Sequence, residues 1–97
     1  MLHTSDIHVG NWEGTQYTIF DSPSGATGIK DCMITICVDE TSPGNAQLNV
    51  NNFNAGEEIP KGMCRTWYAR NVQKVRVIGT QDGITFLSKG TYTISII

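Results

Sequence analysis

The stretch "DCMITICV", residues 31–38, is the clearest β-strand in the sequence. Successive side chains of a strand point to opposite faces. Three aliphatic side chains therefore share a face with Cys32: Ile34, Ile36 and Val38. Cys37 falls on the opposite, less apolar face. We expect Cys32 to lie in a hydrophobic core, since a free cysteine is often buried, and Cys37 to lie on the outer face.

The cysteines of this strand cannot bond to each other. Cys32 and Cys37 are five residues apart, which spans about 16–17 Å on a strand, whereas a disulfide needs Cα atoms within about 7 Å. Cys64 is the one remaining cysteine. An odd count leaves at least one thiol free or bonded to another chain. Cys37 and Cys64 are thus candidates for a disulfide with each other or for a cross-link to another subunit.

The rest of the chain has the same β character. Runs rich in Val, Ile and Thr alternate with clusters of Gly, Asn, Pro and Ser, and no window shows a 3.6-residue apolar period. The predicted strands are residues 15–20, 32–38, 46–53, 63–69, 73–79, 84–88 and 90–97, with an Asp-Gly hairpin turn at 80–83. About seven or eight strands at roughly 8–12-residue spacing predict an all-β fold, a small jelly roll or other β-sandwich, or a small barrel.

The chain length fits one domain, since the sequence has 97 residues. We predict an extended N-terminal arm over residues 1–14 and a single β-sandwich domain over residues 15–97. The arm contains apolar residues in a polar context. Ile7, Val9 and Trp12 are the predicted docking residues of this arm on another subunit.

Composition argues against several partners. The formal net charge is −2 and the seven Lys and Arg residues are scattered, whereas nucleic-acid binding needs clustered cations. No apolar run approaches the roughly 18 residues of a membrane-spanning helix, so we expect no membrane insertion. The N-terminal "MLHTSDIHVG" lacks the basic and apolar regions of a classical signal peptide.

No catalytic, cofactor-binding or metal-binding pattern is apparent. The adjacent carboxylates Glu57 and Glu58 have no histidine partner nearby, and His3 and His8 match no metal cage. No phosphate-binding or dinucleotide fingerprint occurs. Trp67 and Tyr68 are neighbours, so one should face inward and the other outward. The outward ring is a candidate surface contact for a carbohydrate or a protein.

Three segments resemble a known family: "ITICVDETSPGNAQLNVNNFNAGEEIP", "NVQKVRVIG" and "GTYTISI". In order they give a strand, a Pro-containing turn, an Asn-rich alternating strand, a Gly-Glu loop, an Asn-Val-x-x-Val-x-Val strand and a closing Gly-Thr-x-x-x-Ile strand. This pattern is similar to that of bacterial endospore appendage subunits, over about the last two-thirds of the chain.

The resemblance implies a jelly roll that self-assembles into stiff extracellular fibres. Its partners are other copies in a helical filament, joined through an N-terminal connector. It also implies an extracellular, spore-surface or cell-surface location without a classical signal peptide. Connectors of that family commonly carry cysteines, whereas "MLHTSDIHVGNW" has none. The resemblance therefore does not extend to a disulfide made by the arm.

Physical reasoning favours the same role, because a short all-β domain has sheet edges that another chain's strand can pair with. We therefore expect a structural, self-assembling filament subunit without enzymatic activity. Two alternatives remain open. One is a carbohydrate- or protein-binding sandwich that uses Trp67 or Tyr68. The other is a phage or viral structural protein of jelly-roll type.

Overall fold

The structure, a computed structural model, describes residues 7–21 and 30–97. Within these ranges the chain forms nine strands and no helix, and so contains no helix of the length and apolarity needed to cross a membrane. The strands are β1 Ile7–Gly14, β2 Gln16–Asp21, β3 Lys30–Val38, β4 Asn45–Val50, β5 Phe53–Ile59, β6 Cys64–Val72, β7 Lys74–Gln81, β8 Ile84–Thr85 and β9 Ser88–Ile96.

The strands form two antiparallel sheets packed face to face. Sheet A has the order β1-β9-β3-β6, and sheet B has the order β2-β7-β4-β5, with the short β8 pairing with the end of β7. Most consecutive strands alternate between the two sheets, and the two four-stranded orders are those of a jelly roll. The predicted all-β sandwich is confirmed, with nine strands instead of seven or eight.

The core lies between the sheets and follows the alternation that residues 31–38 show. Cys32, Ile34 and Ile36 are fully buried, and Val38 is 3% exposed. Ile94 from β9 and Val72 from β6 join them in sheet A, and the buried side chains of sheet B complete the core: Ile19, Ala46, Leu48, Ile59, Val75 and Val77. The predicted inward face of β3 is therefore confirmed.

The predicted arm differs from the structure at Ile7–Gly14. These residues form β1, which pairs with β9 along its whole length, from Ile7 opposite Ser95 to Gly14 opposite Ser88. Trp12 is only 2% exposed, and its indole Nε1 donates a hydrogen bond to Ser88 Oγ at 3.0 Å. This part of the chain belongs to the sandwich, and residues 1–6 lie outside the described residues.

The inward face of β1 explains why the strand is hard to recognise. Two of its inward positions are His8 and Gly10 instead of aliphatic residues. Gly10 makes room for the ring of Tyr92, since a Cβ atom at Gly10 would lie 2.6 Å from the tyrosine Oη. The Tyr92 ring fills the space that a side chain at Gly10 would occupy. The sequence of β1 therefore lacks the apolar alternation that marks a half-buried strand.

The predicted strands 46–53 and 63–69 leave residues 54–62 as a connection, and this is wrong over most of that length, because Phe53–Ile59 forms β5. The turn from β4 to β5 has two left-handed residues, Asn51 with φ 51° and Asn52 with φ 70°, as a two-residue hairpin turn requires. The Asn51 side chain also ties this turn to β7, since its Oδ1 accepts hydrogen bonds from the backbone N–H groups of Gln73 and Lys74 at 2.8 and 3.1 Å.

Candidate assembly surfaces

The outer face of sheet A carries aligned rows of side chains across all four strands. The strand register defines a first row of Ile7, Ser95, Met33 and Tyr68, and a second row of Val9, Thr93, Thr35 and Thr66. The first row is mainly apolar and the second mainly threonine, with Thr35 and Thr66 hydroxyls 2.9 Å apart. These two rows contain no charged side chain, so this face suits contact with another protein surface.

A third row of the same face contains the disulfide. Cys37 and Cys64 lie opposite each other on β3 and β6 and are joined by a disulfide, with Cα atoms 4.0 Å apart. Cys64 is exposed and Cys37 is half-buried. Cys32 is the free thiol and is buried. Burial, followed by the nearby charge of Asp31, raises the pKa of the Cys32 thiol. All three cysteines lie among the described residues, and none of them is both free and exposed.

The two neighbouring aromatic residues separate as a strand requires. Trp67 faces inward, packs against the core and lies over Gly56, where a Cβ atom would be 2.8 Å from its Nε1. Tyr68 is 55% exposed on the outer face of sheet A. Its hydroxyl donates to Asp31 Oδ2 at 3.4 Å. Of this pair, Tyr68 is the one positioned to meet a ligand or a partner.

The free edge of β1 is a second candidate surface. β1 is the outermost strand of sheet A and, among the described residues, pairs only with β9. Ile7 is 41% and Val9 is 70% exposed, whereas Trp12 is buried. Two of the three predicted docking residues are thus at the surface, and the third is part of the protein's own core. Edge backbone groups of this kind can pair with another strand.

The outer face of sheet B is polar and internally hydrogen-bonded. Arg76 Nη2 donates to Asn49 Oδ1 at 3.1 Å and to Asn52 Oδ1 at 3.0 Å. Asn49 follows the inward Leu48 on β4 and so lies on this outer face, but these contacts leave it only 5% exposed. The Arg76 Nε is buried, and the described residues supply no hydrogen-bond partner for it. No carboxylate of the described residues forms an ion pair with Arg76.

The remaining polar candidates among the described residues make separate contacts. Glu57 is exposed and lies 4.0 Å from Arg65 Nη2. Glu58 accepts hydrogen bonds from Asn45 Nδ2 at 3.0 Å and from Thr80 Oγ1. The two carboxylates are thus engaged with different partners. His8 makes an edge contact with Phe20, with ring centroids 5.5 Å apart.

A shallow cavity of about 330 Å³ opens near the end of β1, lined by Glu13, Asp39 and Lys89 among others. Hydrogen bonds from the Thr41 hydroxyl and backbone N–H hold the pKa of the Asp39 carboxyl below its ordinary value. Across residues 7–21 and 30–97, no three His, Cys, Asp or Glu side chains group as metal ligands would.

Comparisons with known proteins identify a solved structure with a similar fold. No protein-family model matches the chain, and no curated protein matches its sequence. A solved chain from the work described as "Bacillus endospore appendages form a novel family of disulfide-linked pili" superposes with a TM-score of 0.69 at 17% identity. The alignment covers 94% of this chain and 82% of the solved one. The structural likeness agrees with the resemblance drawn from the sequence, and at this identity it shows a shared fold.

Proposed function

We propose that this chain is the structural subunit of an extracellular filament and that it assembles with other copies of itself. The observation that carries the proposal is the free edge of β1, in a jelly roll whose fold is shared with a Bacillus pilus protein. That neighbour is described as a member of a family of pili. A surface location and the absence of catalysis are parts of the same proposal.

Assembly is proposed to proceed by strand addition at the β1 edge. Strand addition supplies main-chain hydrogen bonds, while side chains next to the edge determine the fit. Ile7 and Val9 are exposed beside this edge and supply apolar contacts there. Residues 1–6 precede β1 directly and complete the proposed docking segment. Trp12 contributes indirectly, by holding β1 in place through its buried indole.

The proposed contact between subunits is noncovalent. The structural neighbour belongs to a family described as "disulfide-linked pili". In this chain two cysteines bond to each other and the third is buried. Filaments should therefore dissolve to monomers in hot detergent without any reductant. A ladder of covalent multimers on a non-reducing gel would contradict this part of the proposal.

A charge placed at the β1 edge tests the assembly route. A lysine on an edge strand discourages pairing with another strand, so Val9→Lys should reduce filament length and elongation rate in negative-stain micrographs and light scattering. Thr91→Lys is the matched control, since Thr91 is exposed on the same face but lies on β9, an inner strand. Equal elongation of Val9→Lys and wild type would exclude the β1 edge. Wild-type protein that stays monomeric at all concentrations and salts would overturn the proposed function itself.

A further inference from the structure

We propose that copies of this chain stack end to end, with the acidic end of one sandwich against the basic end of the next. This inference rests on the proposed filament function and names the axial contact between subunits. The partner is a second copy of this chain. The contact is distinct from strand addition at the β1 edge, which joins strands side by side.

The two ends follow from the antiparallel topology. Each long strand runs from one end of the sandwich to the other. One end contains Val38, the last residue of β3, and Ser88, the first residue of β9. The opposite end contains Lys30 and Ile96. A nine-residue strand spans about 26 Å. This exceeds two of the principal extents, 23 and 19 Å, so the two ends lie along the 38 Å axis.

Charged residues divide unequally between these ends. The end with Val38 carries six carboxylates: Glu13, Asp39, Glu40, Glu57, Glu58 and Asp82. It carries three cations, Lys61, Arg65 and Lys89, so its net charge is −3. We call it the acidic end. Asp6 lies outside the described residues and is not assigned to an end.

The opposite end has the complementary charge. It carries four cations, Lys30, Arg70, Lys74 and Arg76. With two carboxylates, Asp21 and Asp31, its net charge is +2. We call it the basic end. A head-to-tail arrangement therefore brings −3 against +2 at every junction, whereas two like ends would repel.

Few of these charges are neutralised within one copy. Among the described residues, the ion pair within 4.0 Å is Arg65 with Glu57, at the acidic end. At the basic end, Arg76 is held by asparagine carbonyl oxygens instead of a carboxylate. The electrostatic fields of the two ends can thus act on the charges of a second copy. They act over about 10 Å at 0.1 M salt.

Both ends also expose apolar side chains that a second copy would cover. At the acidic end Ile84 is 69% and Leu87 is 51% exposed. At the basic end Phe53 is 76% and Ile97 is 67% exposed. Apolar groups together with a charged rim are typical of protein interfaces. A contact between unlike ends leaves one unlike end free on each side of the pair. It therefore generates an open filament, unless the rotation between copies closes a ring.

Charge reversal at one end at a time tests the stacking. Glu40→Lys/Glu57→Lys changes the acidic end from −3 to +1, so both ends of that variant are positive. Lys30→Glu/Arg70→Glu changes the basic end from +2 to −2, so both ends are negative. All four side chains are exposed, and Glu57 makes one weak contact with Arg65. Charge-conserving controls are Glu40→Asp/Glu57→Asp and Lys30→Arg/Arg70→Lys, and thermal unfolding checks the fold of every variant.

Each reversed variant alone should elongate at least tenfold more slowly than wild type at 50 mM NaCl, while an equimolar mixture should recover elongation. Both controls should behave as wild type, and 500 mM NaCl should slow wild type markedly. Reversed variants that elongate normally alone, or a mixture that fails to recover, would overturn end-to-end stacking. Either result leaves the filament function intact, because wild type still elongates. Wild type that never elongates refutes the filament function, and sedimentation of the mixture then tests whether unlike ends still associate.

Discussion

Removal of the Cys37–Cys64 disulfide should lower the free energy of unfolding by about 3.5 kcal/mol. The bond closes a segment with a sequence separation of 27. For a loop of this length, the chain-entropy relation gives roughly 12 cal/mol/K of entropy removed from the unfolded chain, or about 3.5 kcal/mol at 25 °C. The native state should contribute little to the change, because both side chains lie on the outer face of sheet A. Serine at each position leaves no cavity there.

The double variant Cys37→Ser/Cys64→Ser isolates this effect. Guanidinium unfolding followed by the fluorescence of Trp12 and Trp67, the first buried and the second partly buried, gives the free energy of unfolding and its dependence on denaturant. The unfolding midpoint should fall, and the denaturant dependence should rise, because the unfolded chain without the cross-link is more expanded. In a domain of this size, about 3.5 kcal/mol corresponds to a melting temperature lower by roughly 15 °C or more.

Reductant provides the control. Wild type in reductant should match the double variant, and reductant should not affect the double variant. A loss below about 0.5 kcal/mol, within the range of ordinary surface substitutions, would show that the unfolded-state argument fails for this bond. A midpoint that still responds to reductant in the double variant would show that some other effect of the reductant is being measured.

Three further predictions concern the interior and one turn. Trp12→Phe should lower the free energy of unfolding by about 1–3 kcal/mol, because it leaves the buried Ser88 hydroxyl without its indole donor. In a double-mutant cycle with Ser88→Ala, the double variant should lose less than the sum of the two single losses, and additive losses would refute the coupling. Asn51→Ala should destabilise more than Asn51→Gly, because glycine tolerates the φ of 51° whereas both lose the bonds to β7; equal unfolding free energies would contradict this. Native Cys32 should resist thiol reagents until unfolding. The pKa of the Cys32 thiol in the folded protein is raised above the ordinary 9.0. The contribution of the protonated thiol to stability is therefore full below that value and is lost as pH rises through the folded pKa. The unfolding free energies of wild type and Cys32→Ala should converge or cross at high pH, and a difference that stays constant with pH would contradict this.

The local sequence pattern was sufficient to predict burial where one strand alternates between core and surface residues. Residues 31–38 place Cys32 inward and Cys37 outward, and the Asp-Gly turn gives a hairpin with Asp82 at φ 52° and Gly83 at φ 79°. Both signals depend only on neighbouring residues. The buried state of the Cys32 face required no knowledge of any other strand.

Local pattern failed where packing depends on distant residues. β1 is recognisable only with β9 in place, because Gly10 fits the ring of Tyr92 and Gly90 fits the indole of Trp12. β5 has no apolar alternation in its sequence, because it contains Gly56 and the adjacent Glu57 and Glu58. A signal for it was present, since Asn51 and Asn52 are residue types that tolerate the left-handed conformation of a tight hairpin turn. The burial of Asn49 likewise depends on Arg76, a residue 27 positions away.

The charge separation between the two ends shows the same dependence on topology. In the sequence the seven cations are scattered. β6 begins at the acidic end and finishes at the basic end, so Arg65 and Arg70 on this one strand are assigned to opposite ends. Arg70 joins Lys74, which lies across a turn, and Lys30, which is distant in sequence but near in space. A net charge of −2 therefore gives no sign of this separation between the ends. Antiparallel register converts a scattered set of charges into two oppositely charged surfaces, and this conversion makes salt concentration the variable to which the proposed end-to-end assembly should be most sensitive.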